Sequence, residues 1–461
     1  MTTCRRFGWT ALLGSILLAA VPAMAEAPAF TQLDQAIRAE MAAGMSPGLA
    51  AAVVHGPDLV WSAEYGSADV EANRPVGPST RFVLGSVSKL FTALAIVQLR
   101  DAGKLDLDDR VTKHLPWFRL AGEDHPTITL RELLLQLGGL PRDPLGGSWE
   151  ARTMPSREAL IRDIPQEEQA LPPETQWKYS NLGYAVLGLV VEAASGETYT
   201  DYVRRHILEP LGMNGTIVDP RPDTPDLAIG YGLRHGGTRE RREFLATGGM
   251  LPAAGVASTA RDMARFAGWM LAESDGPVLS AQSRREMLRG QAAVADGWAG
   301  QGLGFELRRV GGSVRIGHAG RAAGYAARLE IDPVHRLGVV VLANADDASP
   351  TRLADRAFAL AAPAFEPAPT AATADPSWQR YVGTYVFGDG INHFALVDGR
   401  LAWVDPTAPD PAKSRIPLEP AGPDRFRFTA GGLIGETVTF EADSTGRIVR
   451  LHAGGTAYSR E

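Results

Sequence analysis

Residues 366–376, EPAPTAATADP, are rich in Pro and Ala and carry no hydrophobic periodicity. Such a stretch buries little and reads as a linker. It constrains the architecture because the pattern of the chain differs on its two sides. Upstream, strand-like runs near both ends enclose several apolar helical segments, the arrangement of an α+β domain whose sheet closes late. Downstream, short strands follow one another with turn residues between them, the pattern of a small all-β barrel. The expected division of the 461 residues is a targeting segment at 1–25, an α+β domain at 26–365, the linker at 366–376 and a barrel module at 377–461.

Within the upstream part, residues 30–43 read as an amphipathic helix, with Leu33, Ile37 and Met41 at spacing four. Strands are expected at 49–54 and 59–65, around the turn Gly56-Pro57-Asp58. Residues 86–102 form the strongest helical pattern, with Leu90, Phe91, Leu94 and Val97 on one face and Gly103 as the stop. Residues 130–137 and 182–194 are further apolar helical segments, and 257–262 opens another, with Ser258 or Thr259 as N-cap. Three successive strands are expected at 313–316, 325–331 and 338–343. In the downstream part, 394–397 and 401–404 flank Asp398-Gly399-Arg400 as a hairpin. Alternating runs at 425–428 and 436–441, then 448–451, continue the all-β pattern.

Composition removes several classes of function. Cys4 is the only cysteine, so an intramolecular disulfide and a Cys-based metal site are excluded. The nine histidines are scattered and form no HExxH pattern, and Walker A and GxSxG motifs are absent. No metal or cofactor is expected. The net charge is 46 − 53 = −7, which argues against nucleic acid as a partner. At the N-terminus, Arg5-Arg6, an apolar run over 7–21 and Ala23-Met24-Ala25 make the pattern of a secretory signal cleaved after Ala25. The run is shorter than the ~20 residues of a membrane span. The chain is expected to be exported, periplasmic or secreted, with no transmembrane segment after cleavage.

Three features bear on chemistry. In Gly85-Ser86-Val87-Ser88-Lys89, Ser86 and Lys89 are three apart at a helix start, which puts both on one face. A serine hydroxyl needs a neighbouring base to become a nucleophile, and a desolvated lysine is such a base. Ser88 faces elsewhere. Some ninety residues on, Tyr179-Ser180-Asn181 precedes the helix at 182–194; it offers a phenol as acid or base and an amide for a substrate carbonyl. Gly317-His318-Ala319-Gly320 lies on a strand, where small residues permit close backbone approach. Each feature taken alone also fits an ordinary structural role: an N-capping serine, a core tyrosine beside a capping Asn, a structural histidine.

Taken together and in this order, the three features resemble the serine β-lactamase and penicillin-binding protein superfamily. The likeness is greatest to its class C β-lactamase, DD-peptidase (peptidase S12) and esterase group. It runs over most of 32–344, supported by Tyr65-Gly66-Ser67-Ala68-Asp69, Gly255-Val256-Ala257-Ser258-Thr259 and Val339-Val340-Val341-Leu342-Ala343-Asn344. The resemblance implies an antiparallel sheet flanked by helices plus an all-helical region. It also implies Ser86 as the acylated nucleophile, Lys89 as base or proton relay, and Tyr179 as the second acid/base member. Asn181 and the His318-Ala319-Gly320 segment would bind substrate, and the backbone N–H groups of Ser86 and Arg321 would form the oxyanion hole. The C-terminal module resembles the lipocalin-like barrel appended to many such hydrolases.

The chain departs from the family pattern at points that matter. His318 stands in place of the lysine of β-lactamases, and Ala319 in place of the hydroxyl residue that holds a substrate carboxylate. Leu135-Gln136-Leu137-Gly138-Gly139-Leu140 replaces the usual His-Thr-Ser-Gly-Leu, and Glu174 replaces a usual glycine. The expected activity is therefore hydrolysis of a carboxylic ester or a D-amino-acid-containing peptide or amide, through an acyl-enzyme. The alternatives are a β-lactamase or DD-carboxypeptidase, or a non-catalytic binding protein. The expected partner is a small ester, amide or peptidoglycan-like substrate.

Overall fold

The computed structural model describes residues 28–461 apart from 123–126, 295–297, 311–312, 366–374, 389, 398, 406–407, 409–413 and 454. The signal pattern at 1–25, linker residues 366–374 and Asp398 of the expected hairpin turn lie outside the described residues. The chain forms two compact units, Met1–Glu366 and Pro367–Glu461.

An eight-stranded antiparallel sheet organises the first unit. Its main strands are β1 (Gly48–His55), β2 (Asp58–Asp69), β3 (Trp298–Gln301), β4 (Glu306–Val310), β5 (Ser313–Ala322), β6 (Tyr325–Asp332) and β7 (Leu337–Ala343). The spatial order is β2-β1-β7-β6-β5-β4-β3, with the short strand Arg74–Pro75 outside β2. Strands from the two ends of the unit meet where β1 pairs with β7, Ala50 opposite Leu342. The sheet thus closes only after the helical segments have been threaded. β1 and β7 are apolar without alternation because both their faces are covered. Helices α1 (Pro28–Ala42) and α5 (Pro350–Phe365) join the apolar cluster on one face. Helices α2 (Lys89–Asp101), α3 (Asn181–Ser195) and α4 (Ala260–Leu271) belong to the larger core on the other.

Four expected boundaries moved. The helix expected at 86–102 is a 3-10 turn, Gly85–Ser88, followed by α2. The helix expected at 130–137 stops at Leu134, because Gln136 adopts the left-handed conformation, φ 62°. Residues 256–258 form a strand of a small three-stranded sheet, so Thr259 rather than Ser258 caps α4, accepting from Asp262 N at 3.1 Å. The strand expected at 313–316 runs on to Ala322 as β5.

The second unit is a closed barrel of β8 (Gly383–Phe387), β9 (Gly390–Val397), β10 (Arg400–Val404), β11 (Ile416–Gly422), β12 (Arg425–Phe428), β13 (Thr437–Ala442), β14 (Ile448–Ala453) and β15 (Thr456–Arg460). Alternate residues are buried, as Phe426 and Phe428 or Val438 and Phe440 show. Tyr381, Tyr385, Phe394 and Phe440 pack ring to ring, with centroids 4.7–5.8 Å apart. Pro376, read from sequence as the last linker residue, already opens the 3-10 turn Pro376–Tyr381, capped by Asp375.

The β1–β7 junction is locked by Asn344, which is fully buried. Its Oδ1 accepts from Gly48 N at 2.6 Å and Ser46 Oγ at 3.2 Å; its Nδ2 donates to the carbonyls of Ser67 at 3.1 Å and Ile229 at 3.0 Å. An Asn344→Ala change leaves several of these groups unpaired in a dry site. It is expected to cost about 2–4 kcal/mol, on the scale of about 1–3 kcal/mol per stranded group. Urea denaturation measures this, and a loss below about 1 kcal/mol would show that water replaces the amide.

Candidate active site

The Gly85–Ser88 turn is pressed against β5. A Cβ added to Gly320 would stand 1.9 Å from the Leu84 carbonyl oxygen. One added to Gly85, whose φ is +54°, would stand 2.4 Å from the Arg321 carbonyl oxygen and 2.7 Å from its nitrogen. Only glycine at both positions allows this contact. It brings the backbone of Arg321 against Gly85, the residue before Ser86.

Ser86 is half-buried, and its Oγ accepts a hydrogen bond from the Tyr179 hydroxyl at 2.7 Å. Lys89 is wholly buried, one turn below. Its Nζ donates to Asn181 Oδ1 at 2.7 Å and to the Ala253 carbonyl at 3.0 Å. The Tyr179 and Tyr184 rings lie over it, with centroids 4.8 and 5.4 Å away. Desolvation drives the Lys89 amine down to about 7, against smaller opposing effects of Glu306 and Asp143. Burial likewise pushes the Tyr179 phenol well above its ordinary value. Ser88 Oγ is turned away and accepts from Val256 N at 3.0 Å.

Tyr179 and Asn181 are placed by their loop and by the start of α3. Ser180 caps that helix, accepting from Gly183 N at 2.9 Å, while its own N–H donates to Gln136 Oε1 at 2.7 Å. Asn181 Nδ2 donates to Asp143 Oδ1 at 2.7 Å, and Trp149 Nε1 donates to the same oxygen at 2.7 Å. His318 is buried, its ring centroid 6.4 Å from that of Tyr179, and desolvation lowers its pKa.

A cleft of about 650 Å³ opens over Ser86, Tyr179 and Asn181. Its walls come from Arg142, Trp149, Glu150, Arg152, Arg242, Arg321, Ala322, Ala323 and Asp346. Arg242 pairs with Asp346 at 2.8 Å, and the Arg321 guanidinium donates to the carbonyls of Asp346 and Ala348. His318, Ala319 and Gly320 are not among the residues bounding the cleft; Gly320 and His318 serve the contacts just described. Among the described residues, no group of three or more His, Cys, Asp or Glu is placed to hold a metal ion.

The structure therefore brings Ser86, Lys89, Tyr179 and Asn181 together. Sequence reading missed Asp143, Gln136, the Ala253 carbonyl and Glu306. Gln136 had one signal, its departure from the family motif. Asp143 lies on a loop, Ala253 on a short helix and Glu306 on a strand, and only the fold supplies their neighbours.

A model of the family described as Beta-lactamase matches residues 33–364. The chain belongs to the beta-lactamase family. Among curated proteins of this kind, it is 31% identical over 205 residues to Protein flp of Staphylococcus aureus strain MW2, which covers 44% of this chain and 41% of that protein. It is 34% identical over 185 residues to Penicillin-binding protein 4* of Bacillus subtilis, covering 38% and 40%. The chain spans between 40% and 62% of the length of the curated relatives it matches. Among solved structures, the octameric penicillin-binding protein homologue from Pyrococcus abyssi superposes with a TM-score of 0.65 at 25% identity, over 93% of this chain and 99% of its own. A crystal structure of SurE superposes with a TM-score of 0.60 at 26% identity, over 94% and 98%.

The buried amine has a signature in stability. The unfolded Lys89 titrates near 10.5 and the folded one near 7, so between these values the unfolded chain binds the additional proton. The contribution of Lys89 to stability therefore rises with pH across that window and is most unfavourable below it. Lys89→Met is expected to gain stability over wild type at pH 7, and the gain is expected to shrink as pH approaches 10. Urea melts at a series of pH values test this; a gain that grows with pH would contradict it.

Proposed function

We propose that this protein is an exported serine hydrolase acting through an acyl-enzyme on Ser86, on a carboxylic ester or a D-amino-acid-containing peptide or amide. The observation that carries the reading is the Tyr179 hydroxyl, 2.7 Å from Ser86 Oγ, beside a desolvated Lys89. A neutral amine has two N–H bonds, and the two acceptors on Lys89, Asn181 Oδ1 and the Ala253 carbonyl, take both. Its lone pair is left to receive a proton.

In the proposed sequence, Ser86 Oγ attacks the substrate carbonyl carbon. Its proton passes to the Tyr179 oxygen as the phenol proton moves to Lys89. The raised phenol pKa fits a relay rather than a standing phenolate. The N–H groups of Ser86 and Arg321 receive the oxyanion. Collapse breaks the bond to the leaving group, which takes the proton back through Tyr179. Water then repeats the attack on the acyl-enzyme and restores Ser86.

Substrate preference follows from the groups that are missing. His318 is held neutral by burial and Ala319 has no hydroxyl, so the family's anchor for a β-lactam carboxylate is weakened. Esters are therefore favoured. The β-lactamase or DD-carboxypeptidase reading is supported by a different observation, the four arginines around the cleft. A non-catalytic role has less support, because Ser86, Lys89, Tyr179 and Asn181 are all present and joined. Export rests on the pattern at 1–25, and the second unit is read as a lipocalin-like module.

Ser86→Ala is expected to abolish labelling by a fluorophosphonate probe, and Ser88→Ala to leave it intact; labelling retained without Ser86 would sink the assignment. Tyr179→Phe is expected to slow acylation by about 10²-fold or more, the usual scale for a positioned acid/base. The wild-type rate is expected to rise with pH through a midpoint near 7, as Lys89 loses its proton.

For substrate class, kcat/KM for p-nitrophenyl butyrate is expected to exceed that for nitrocefin. Efficient nitrocefin turnover that collapses in Arg321→Ala would instead identify Arg321 as the carboxylate anchor and favour the second reading.

A further inference from the structure

Glu306 is a buried carboxylate at the start of β4 that the proton relay does not use. Pairing of β4 with β5 ends at Glu306–Gly317. Two residues further along β5, the N–H of Ala319 donates to Glu306 Oε2 at 3.3 Å, so the side chain continues the pairing that the backbone has given up. The same oxygen accepts from Arg328 Nη1 at 3.1 Å, and Oε1 lies 3.7 Å from His318 Nε2. The register sets His318 opposite Leu329 and Ala319 opposite Arg328. Opposed side chains share a face and successive ones alternate, so His318 and Arg328 project from opposite faces of the sheet. The Glu306 carboxylate reaches both.

On the Arg328 side its charge is balanced. Arg328 also holds Glu330 at 2.7 Å, Arg308 bridges Glu330 at 3.0 Å and Asp355 at 2.5 Å, and Arg315 meets Asp355 at 2.7 Å. Three acids and three arginines alternate from Glu306 to α5. A buried carboxylate without such a partner would be costly and would take up a proton. On the other side Glu306 lies against His318, and its charge acts on His318 and Lys89.

We propose that Glu306 is a positioning residue of the active site: it holds the His318-Ala319-Gly320 segment against the Ser86 turn and sets a buried negative charge behind it. The link to rate rests on Lys89 acting as base under the proposed function. Other groups facing Lys89 are Asp143 and Arg142 from their loop, His318 from β5, and the Tyr179 and Tyr184 rings. Asp143 favours the ammonium, as Glu306 does, and Arg142 opposes it.

The chain has five lysines, Lys89, Lys104, Lys113, Lys178 and Lys413, so carbon-13 NMR of lysine Cε in the full chain resolves each, with Lys89 assigned by its loss in Lys89→Met. In Glu306→Gln the Lys89 titration midpoint is expected to fall by about a pH unit, the lower end of the usual effect of a nearby opposite charge. The rising limb of the acylation rate is expected to move to lower pH by the same amount. Glu306→Asp keeps the charge and is expected to keep the midpoint, whatever it does to kcat. If Glu306→Gln does not fold, the double change Glu306→Gln with Arg328→Met removes both members of the pair and is read in the same way. A Lys89 midpoint that does not move in the folded variant overturns the proposal, even if activity falls. A midpoint that moves while the rate limb stays upholds the role of Glu306 and counts against Lys89 as the base.

Discussion

The site depends on the burial of one amine. An ammonium in an apolar interior is so unfavourable that the group gives up its proton or finds a partner. Around Lys89 the protein does neither completely. α2 carries the residue into the core, α3 brings Asn181, and the short helix Leu251–Ala254 brings the Ala253 carbonyl. Two acceptors and two aromatic faces surround the nitrogen, while Glu306 and Asp143 act from further away. Desolvation wins, and the amine is left near 7, where it can take and return a proton at neutral pH.

That arrangement is held by close backbone packing rather than by long side chains. Gly85 and Gly320 let the Ser86 turn lie directly on β5, so Ser86 and the Arg321 backbone share one frame. Thr92 Oγ1 bonds the Pro252 carbonyl at 2.6 Å and the Tyr199 hydroxyl at 2.6 Å, which fixes the segment that presents Ala253 to Lys89. Asp143 joins Asn181 to Trp149 and so ties the base of the pocket to the cleft wall. Sites whose groups are locked in this way do not reorganise when charge develops, the condition for electrostatic stabilisation of an oxyanion.

Much of the fold was legible from short-range pattern. The runs around β1, β2, β6 and β7 read as strands because their apolar content is high and their ends are marked by turn residues. Helix α2 read as a helix because one face is continuously apolar. Errors fell where a local pattern was overridden. Residues 135–137 continue an apolar helical run, yet Gln136 turns left-handed because its side chain is needed to hold Ser180 N. Ser86 was assigned to the helix itself, but the chain tightens into a 3-10 turn there under the pressure of β5. Of the candidate site, Ser86, Lys89, Tyr179 and Asn181 stood in recognisable spacings, while Glu306 and Asp143 stood in none.

The amino-acid sequence by itself determined the local terms: which segments are apolar enough to be strands and helices, where glycine permits backbone contact, and which side chains have acid, base or nucleophilic chemistry. These depend on neighbours a few residues away and are carried by periodicity and residue type. Only the tertiary structure decided what each group does. Ser86 and Tyr179 meet across 93 residues of chain. His318 is buried beside Glu306 and Tyr179, which lie far from it in sequence. The state of Lys89 depends on how much water is removed from around it. Desolvation and charge–charge distance are properties of the packed chain, and no spacing in the sequence encodes them.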